Sequence, residues 1–331
     1  MREGAHRWRA RLLPLAAALV GLGLIAALVV HIGAGAVGAS LAAFGWRALA
    51  AIVAIHLGLI AVMGLAWREL LPGTRGWVGI WGRLVRDSAA EVLPLSQLGG
   101  YVLGARAVAL AGVAGAAAAG STIVDVTLEF VSQLAYTGLG LAWLIYLRPH
   151  AALTGPVAAG LLVAGLAAAG FLLVQHRGFA FLDQLGRAIG RGWADRGAAG
   201  AAALHAEIAA IYRRRRRLLA GFLLHLGCWI ASTVESWLAL KIAGTPLAFG
   251  AVLVIESLLY AIRTAAFAVP NALGVQEGAY ILLGAGFGLN PEMALALSLL
   301  KRARDISIGL PALGLWQAVE SRRFLRRSRR A

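Results

Sequence analysis

The run Arg263 to Gly278, R-T-A-A-F-A-V-P-N-A-L-G-V-Q-E-G, sets an arginine, a proline, a glycine and a glutamate against an apolar stretch that begins near Ala248. Proline removes a backbone donor and glycine admits unusual dihedrals, so a helix ends or kinks here. Non-helical backbone at membrane depth persists only where protein buries it or where it lines a water-filled cavity. An ionisable side chain at that depth marks a functional site by default. Further charges interrupt apolar runs: Arg86, Asp87, Glu91, Asp125, Glu129, Glu235, Glu256, Lys301, Arg302, Arg304 and Asp305. Each costs at least about 2.5 kcal/mol at a bilayer centre when unpaired, so these groups must face inward and pair. Asp125 and Glu129 share one helix face, as do Glu256 and Arg263. The first two read as structural ion pairs. The expected headgroup-binding set is Arg86, Arg263, Glu277, Lys301, Arg302, Arg304 and Asp305, shaped by the break at Pro270 and Gly274. Guanidinium groups there would hold a polar or phosphorylated headgroup while apolar tails stay in lipid.

Other chemistries lack their residues. No H-E-x-x-H motif and no Walker A sequence occur. The seven histidines stand singly, without metal-ligand spacing, so no metal and no cofactor are expected. Ser121 follows Gly120 but has no oxyanion loop or paired histidine in view. No catalytic residue is assigned. Cys228 is the single cysteine, so an intrachain disulfide is excluded.

The elements that must position these charges are membrane helices. Of the 331 residues, 60% are hydrophobic and 14% charged, and mean hydropathy is +0.78. Several runs reach the roughly 20 apolar residues that cross a bilayer. The expected fold is an all-α polytopic integral membrane protein forming a single membrane domain, 1–331. The net charge of +16 reads as topology, because arginine collects in cytoplasmic loops. Anionic lipid headgroups are natural secondary partners of such segments, and nucleic acid is not expected.

Six spans are expected: 12–32, 48–67, 121–147, 156–174, 218–240 and 291–319. A loop carrying Arg47 separates the first two. Leu12 to Val30 is long enough to span, so a cleaved signal peptide is not expected. Arg2, Arg7, Arg9 and Arg11 precede the first span, and a basic tail over 320–331 follows the last, so both termini are expected in the cytoplasm. The segment 175–217 reads as cytoplasmic. Phe179, Leu182, Leu185, Ile189 and Trp193 give it an amphipathic interfacial helix, and Arg213–Arg217 end it. The region 77–112 must cross an even number of times, and its halves about Pro94 are short for full spans. A re-entrant hairpin satisfies both conditions. Arg86, Ala89-Ala90, Val92, Pro94 and Leu98-Gly99 resemble Arg263, Ala265-Ala266, Val269, Pro270 and Leu273-Gly274. The first hinge is approached from inside and the second from outside, as in an inverted repeat with two re-entrant hairpins. The alternative is eight or more plain spans.

At Pro270-Asn-Ala-Leu-Gly-Val-Gln-Glu277 the chain resembles the flippase-like membrane region of lysylphosphatidylglycerol synthases and their standalone relatives. That family carries a Pro-Gly-rich turn followed by Gly-x-x-Glu, which Gly274-Val-Gln-Glu277 matches. The usual Gly-Gly after proline is Asn271-Ala272 here. The run Leu299 to Asp305 and the run Gly309 to Gln317 look more like the hopanoid-biosynthesis-associated membrane proteins of the superfamily. No aminoacyltransferase sequence follows residue 331, so lipid lysylation is not expected. The resemblance implies lipid handling in the bacterial inner membrane, of hopanoid, polyprenyl or phospholipid, with lipid-biosynthesis enzymes as partners.

Three readings follow. The first is a lipid flippase-like or lipid-transport protein. The second is a membrane-embedded enzyme acting on a lipid headgroup, with Glu277 or Glu256 as general base. The third is a scaffold of a lipid-biosynthesis complex, with its charges purely structural.

Overall fold

The computed structural model describes residues 18–93, 96–150, 152, 154–177, 194–266 and 269–328. All regular structure among them is helical. Eleven α-helices occur in order: α1 (Ala18–Ile32), α2 (Ala34–Glu69), α3 (Gly76–Val92), α4 (Ser96–Leu110), α5 (Gly115–Leu147), α6 (Thr154–Arg177), α7 (Ala194–Tyr212), α8 (Arg215–Ile242), α9 (Phe249–Ala265), α10 (Val275–Ala285) and α11 (Pro291–Ser328). A 3-10 turn, Pro270–Ala272, separates α9 from α10.

Among the described residues, four stretches are long and apolar enough to cross a membrane: Ala34–Glu69, Gly115–Leu147, Thr154–Leu173 and Arg215–Ile242. They contain three of the six expected spans and all but the last residue of a fourth, 156–174. The described part of the first expected span, Ala18–Ile32, is apolar but shorter. The sixth lies in α11, whose 38 residues include Lys301, Arg302, Arg304 and Asp305 and so dilute its apolar character. The loop expected around Arg47 is helical instead. Its alanine-rich sequence favours helix, and α2 is broken only at Gly45, where φ is +61°. The amphipathic helix expected over 179–193 and the hinge residue Pro94 lie outside the described residues.

The chain forms two compact units. One contains the described residues of Met1–Ile60, Leu84–Leu103 and Ile230–Ala331; the other contains Ala61–Arg83 and Gly104–Trp229. In the second unit, Trp67, Leu70, Val78, Val108, Val124, Ile208 and Ile211 form an apolar core. The indole of Trp67 donates to Ser121 Oγ at 3.1 Å. The polar groups of α5 are paired there, as its apolar setting demands: Arg83 with Glu129 at 2.6 Å and His225 with Asp125 at 3.0 Å.

Helices α3 and α4 form an antiparallel hairpin. In the first unit Gly100 lies against the backbone of Arg86 and Ala90, and in the second Gly82 lies against Val108. The two helices hold 17 and 15 residues, about 26 and 23 Å at 1.5 Å per residue, short of a ~30 Å hydrocarbon core. The pair α9 and α10 is shorter still, with 17 and 11 residues.

Close helix approach in the second unit depends on Gly64 and Gly79. A Cβ on Gly64 would fall on the Ile80 backbone, 2.7 Å from its nitrogen. We expect Gly64→Ala to push α2 from α3 and cost about 1–3 kcal/mol of stability. Gly58→Ala, where nothing lies within 4 Å, should be neutral or stabilising. Thermal unfolding of both variants in one detergent checks the contrast.

Candidate functional site

The first unit gathers most of the buried charge. Residue by residue, α11 presents cations in different directions, because successive helical positions lie about 100° apart. Lys301 Nζ donates to Glu256 Oε2 of α9 at 2.7 Å and to Ser236 Oγ of α8 at 3.3 Å. Glu256 also accepts from Ser236 and Tyr280, each at 2.5 Å. Arg302 Nε donates to Glu277 Oε1 at 2.5 Å, and its Nη2 to Oε2 at 3.1 Å. Arg304 forks between two carboxylates: Nη1 bonds Glu235 of α8, and Nη2 bonds Asp305 Oδ1 at 2.7 Å. Glu235 also bonds His56 Nδ1 of α2 at 2.8 Å.

The broken segment is built around two residues with left-handed backbone. Asn271 has φ +49° and Ala272 φ +45°, while Gly274 has φ +79°. Asparagine tolerates this region and glycine adopts it freely, whereas alanine pays about 1–2 kcal/mol. Gly274 N–H then donates to Glu277 Oε2 at 2.8 Å, so Glu277 caps the first turn of α10. Ser298 Oγ donates to its other oxygen at 3.0 Å. Glu277 is thus enclosed by a backbone amide, a hydroxyl and a guanidinium, and it has no exposed surface.

The tips of the two hairpins meet in this unit. Arg263, at the end of α9, donates from Nη2 to Glu91 of α3 at 2.8 and 3.0 Å and to Asn271 Oδ1 at 3.2 Å. Asn271 Nδ2 donates to the Glu91 carbonyl at 2.6 Å. The Asn271 carbonyl in turn accepts from Arg302 at 3.4 Å. Tyr260 stacks beside both Arg263 and Lys301, with centroid distances of 5.8 and 5.6 Å. Helix α1 closes over the break: a Cβ on Gly21 would lie 2.8 Å from the Leu273 carbonyl.

Each residue expected at the site lies in the first unit. Arg263, Gly274, Glu277, Lys301, Arg302, Arg304 and Asp305 join this network, and Pro270 opens the 3-10 turn beside it. Arg86 is buried, 3.6 Å from Asp87 and 5.0 Å from the Tyr101 ring centroid. Glu256 and Arg263 share a face but take different partners. The sequence marks Glu91 and Glu235 only as buried acids, and Glu256 as a buried acid and an alternative general base. It gives no site role to Asn271, Ser236, Ser298, Tyr280 or His56. Asn271 alone carried a signal, as a residue that tolerates φ > 0 directly after proline.

A separate cavity of about 270 Å³ lies in the second unit, lined by Gln175, Ala209, Tyr212, Arg213 and Arg215. Tyr212 donates to Gln175 Oε1 at 2.6 Å, and Gln175 Nε2 donates to Thr127 at 2.9 Å. Burial pushes the Tyr212 phenol up to about 12, so it stays a protonated donor. Among the described residues, no group of three or more histidine, cysteine or carboxylate side chains could hold a metal ion.

The family model described as the lysylphosphatidylglycerol synthase TM region matches residues 15–311. The chain belongs to that family. No curated protein and no solved structure matches it. Membership of the lysylphosphatidylglycerol synthase TM region family makes this a membrane protein linked to lipid biology. The matched span includes every helix named above from α2 to α10, and with them the break at Pro270 and the Lys301–Asp305 cluster of α11.

The dihedral strain at Ala272 is open to direct test. Ala272→Gly should leave stability unchanged or raise it by up to about 1 kcal/mol. Ala272→Val, branched at Cβ in a left-handed position, should lower it. Melting temperatures of the purified variants decide between this geometry and an ordinary helical kink, where glycine would destabilise.

Proposed function

We propose that this chain moves a lipid headgroup between membrane leaflets at the meeting point of the two hairpin tips. One observation carries the reading. Arg263 makes all its hydrogen bonds to Glu91 and Asn271 through Nη2, and among the described residues Nε and Nη1 make none. The tip pair keeps some exposure: Arg263 and Glu91 side chains are 12% and 23% exposed, against 0% for Glu256 and Glu277. A guanidinium with free, directed donors suits a phosphate or another anionic group. The flanking helices are too short to cross fully, so we read both hairpins as re-entrant, with the broken backbone at membrane depth. Movement needs no chemical step, and no ATP-binding motif is present to drive it. We place the protein in a bacterial inner membrane with both termini cytoplasmic, a reading supported by the arginines at each end.

The completeness of the pairing at Glu256, Glu277 and Glu235 favours a second reading, in which the network only holds helices together. The double variant Glu91→Gln/Arg263→Gln separates the two, because it removes the pair without leaving a lone charge. The translocation reading expects a folded protein in proteoliposomes whose fluorescent-lipid movement falls about 10–100-fold, the worth of a hydrogen bond to a charged group. Movement at the wild-type rate by the folded double variant would leave the structural reading standing. Running the assay with hopanoid, polyprenyl and phospholipid probes identifies the cargo.

In the second unit, Arg213 and Arg215 at the mouth of the cavity suit an anionic headgroup, with the basic run at the membrane surface. Wild-type protein should gain thermal stability in phosphatidylglycerol nanodiscs over phosphatidylcholine ones. Arg213→Gln/Arg215→Gln should lose about 1 kcal/mol of that gain per arginine.

A further inference from the structure

The buried network of the first unit does not balance its charges. Glu256 faces Lys301, Glu277 faces Arg302 and Glu91 faces Arg263, each one acid against one base. The fourth group differs. Arg304 alone is shared by Glu235 and Asp305, and the remaining partner of Glu235 is a histidine, His56. With His56 neutral this group carries one surplus negative charge. Glu235 is 1% exposed and Asp305 7%, so that charge sits where water cannot spread it. Among the described residues, the other cations near this group already face acids of their own: Arg263, close enough to feel the charge of Asp305, is bonded to Glu91. Lys301 is held by Glu256 and Ser236, and Tyr260 and Tyr280 bring neutral hydroxyls. His56 is the member of the group whose side-chain type gains and loses its charge near neutral pH. It is also the exposed member, at 23%, and so has a route to solvent.

We propose that His56 and Glu235 hold an exchangeable proton, and that this proton is the coupling ion of lipid movement. The coupling half rests on the translocation reading above; the proton site does not. With the proton on His56, Nδ1–H donates to Glu235, the imidazolium balances one carboxylate and Arg304 balances the other. The group is then neutral. When the proton leaves from the ring to solvent, Nδ1–H can still donate, but Arg304 must serve two carboxylates alone. Neutral groups shift within a low-dielectric interior at less cost than charged ones. Proton uptake therefore lets the paired parts of α2, α8 and α11 shift together as one neutral group, whereas proton loss leaves a net charge that opposes the shift.

The test uses the full chain. Nitrogen-15 spectra of histidine-labelled protein in detergent, between pH 5 and 8, report each imidazole. The signal missing from His56→Gln assigns His56, with His56→Asn in reserve should the glutamine variant not fold. We expect His56 to change charge in this range. Asp305→Asn removes the surplus acid and should make His56 lose its proton at a lower pH. In proteoliposomes, wild-type lipid movement should be faster at low pH, with a one-proton dependence approaching tenfold per pH unit at its steepest. That dependence should vanish in His56→Gln. Exchange of sodium for N-methylglucamine should change nothing. An imidazole that keeps one charge state from pH 5 to 8, in wild type and Asp305→Asn alike, overturns the proton site. A titrating His56 in a protein whose lipid movement is independent of pH, or faster at high pH, overturns the coupling. A titrating His56 with no lipid movement at all keeps the site and removes the translocation reading alone.

Discussion

A carboxylate inside an apolar helical bundle must find a cation, and this requirement decides which helices meet. Leaving one partner of a buried pair alone costs about 3–5 kcal/mol. Helix α11 meets the demand with three residues of a single turn. Lys301 reaches α9 through Glu256, Arg302 reaches α10 through Glu277, and Arg304 reaches α8 through Glu235. One turn of helix therefore fixes three neighbours at once, because its side chains radiate around the axis. The same turn makes α11 poor in apolar residues as a span. Its charges are tolerable because Lys301 and Arg304 turn inward, each about 3% exposed.

The second constraint is the backbone break after α9, which frees amides and carbonyls that lipid cannot satisfy. Side chains of the ion network take that role. Glu277 receives the Gly274 amide, Arg302 reaches the Asn271 carbonyl, and the Asn271 side chain bonds the Glu91 carbonyl. The left-handed dihedrals at Asn271 and Ala272 persist because these contacts over-determine the loop. Charge pairing and chain reversal are thus one structure. Glu277 serves both, as helix cap and as counter-ion, so its substitution disturbs stability and electrostatics together.

Much of this was legible in the sequence. Helices follow from apolar length, and the break follows from Pro270 and Gly274. The buried acids and bases were visible as charges in apolar runs, and their pairing followed from its energetic necessity. The partners were not legible. Spacing on one helix joins Glu256 with Arg263, yet each bonds across to another helix, since packing and not sequence distance sets the contact. Histidines that stand singly along the chain gave no pattern, but His56 and Glu235 meet across 179 positions. The loop expected around Arg47 is instead a helix with one break, at Gly45, because the alanines on both sides sustain helical structure.

Burial is graded across the network, and the gradient assigns the roles. Glu256 and Glu277 are sealed, with hydroxyls, an amide and cations filling their acceptor sites. Such groups rigidify, because any movement strands a charge. The tip pair Arg263–Glu91 and the edge residue His56 keep partial exposure and incomplete hydrogen bonding. In the proposed mechanism these are the groups that trade a protein partner for a solute: an anion at Arg263, a proton at His56. The two are linked through α11: Arg263 reaches Arg302 through Asn271, and His56 reaches Arg304 through Glu235. A rigid middle with two exchangeable ends is what a coupled site requires, since a change at one end reaches the other only through groups that cannot relax on their own.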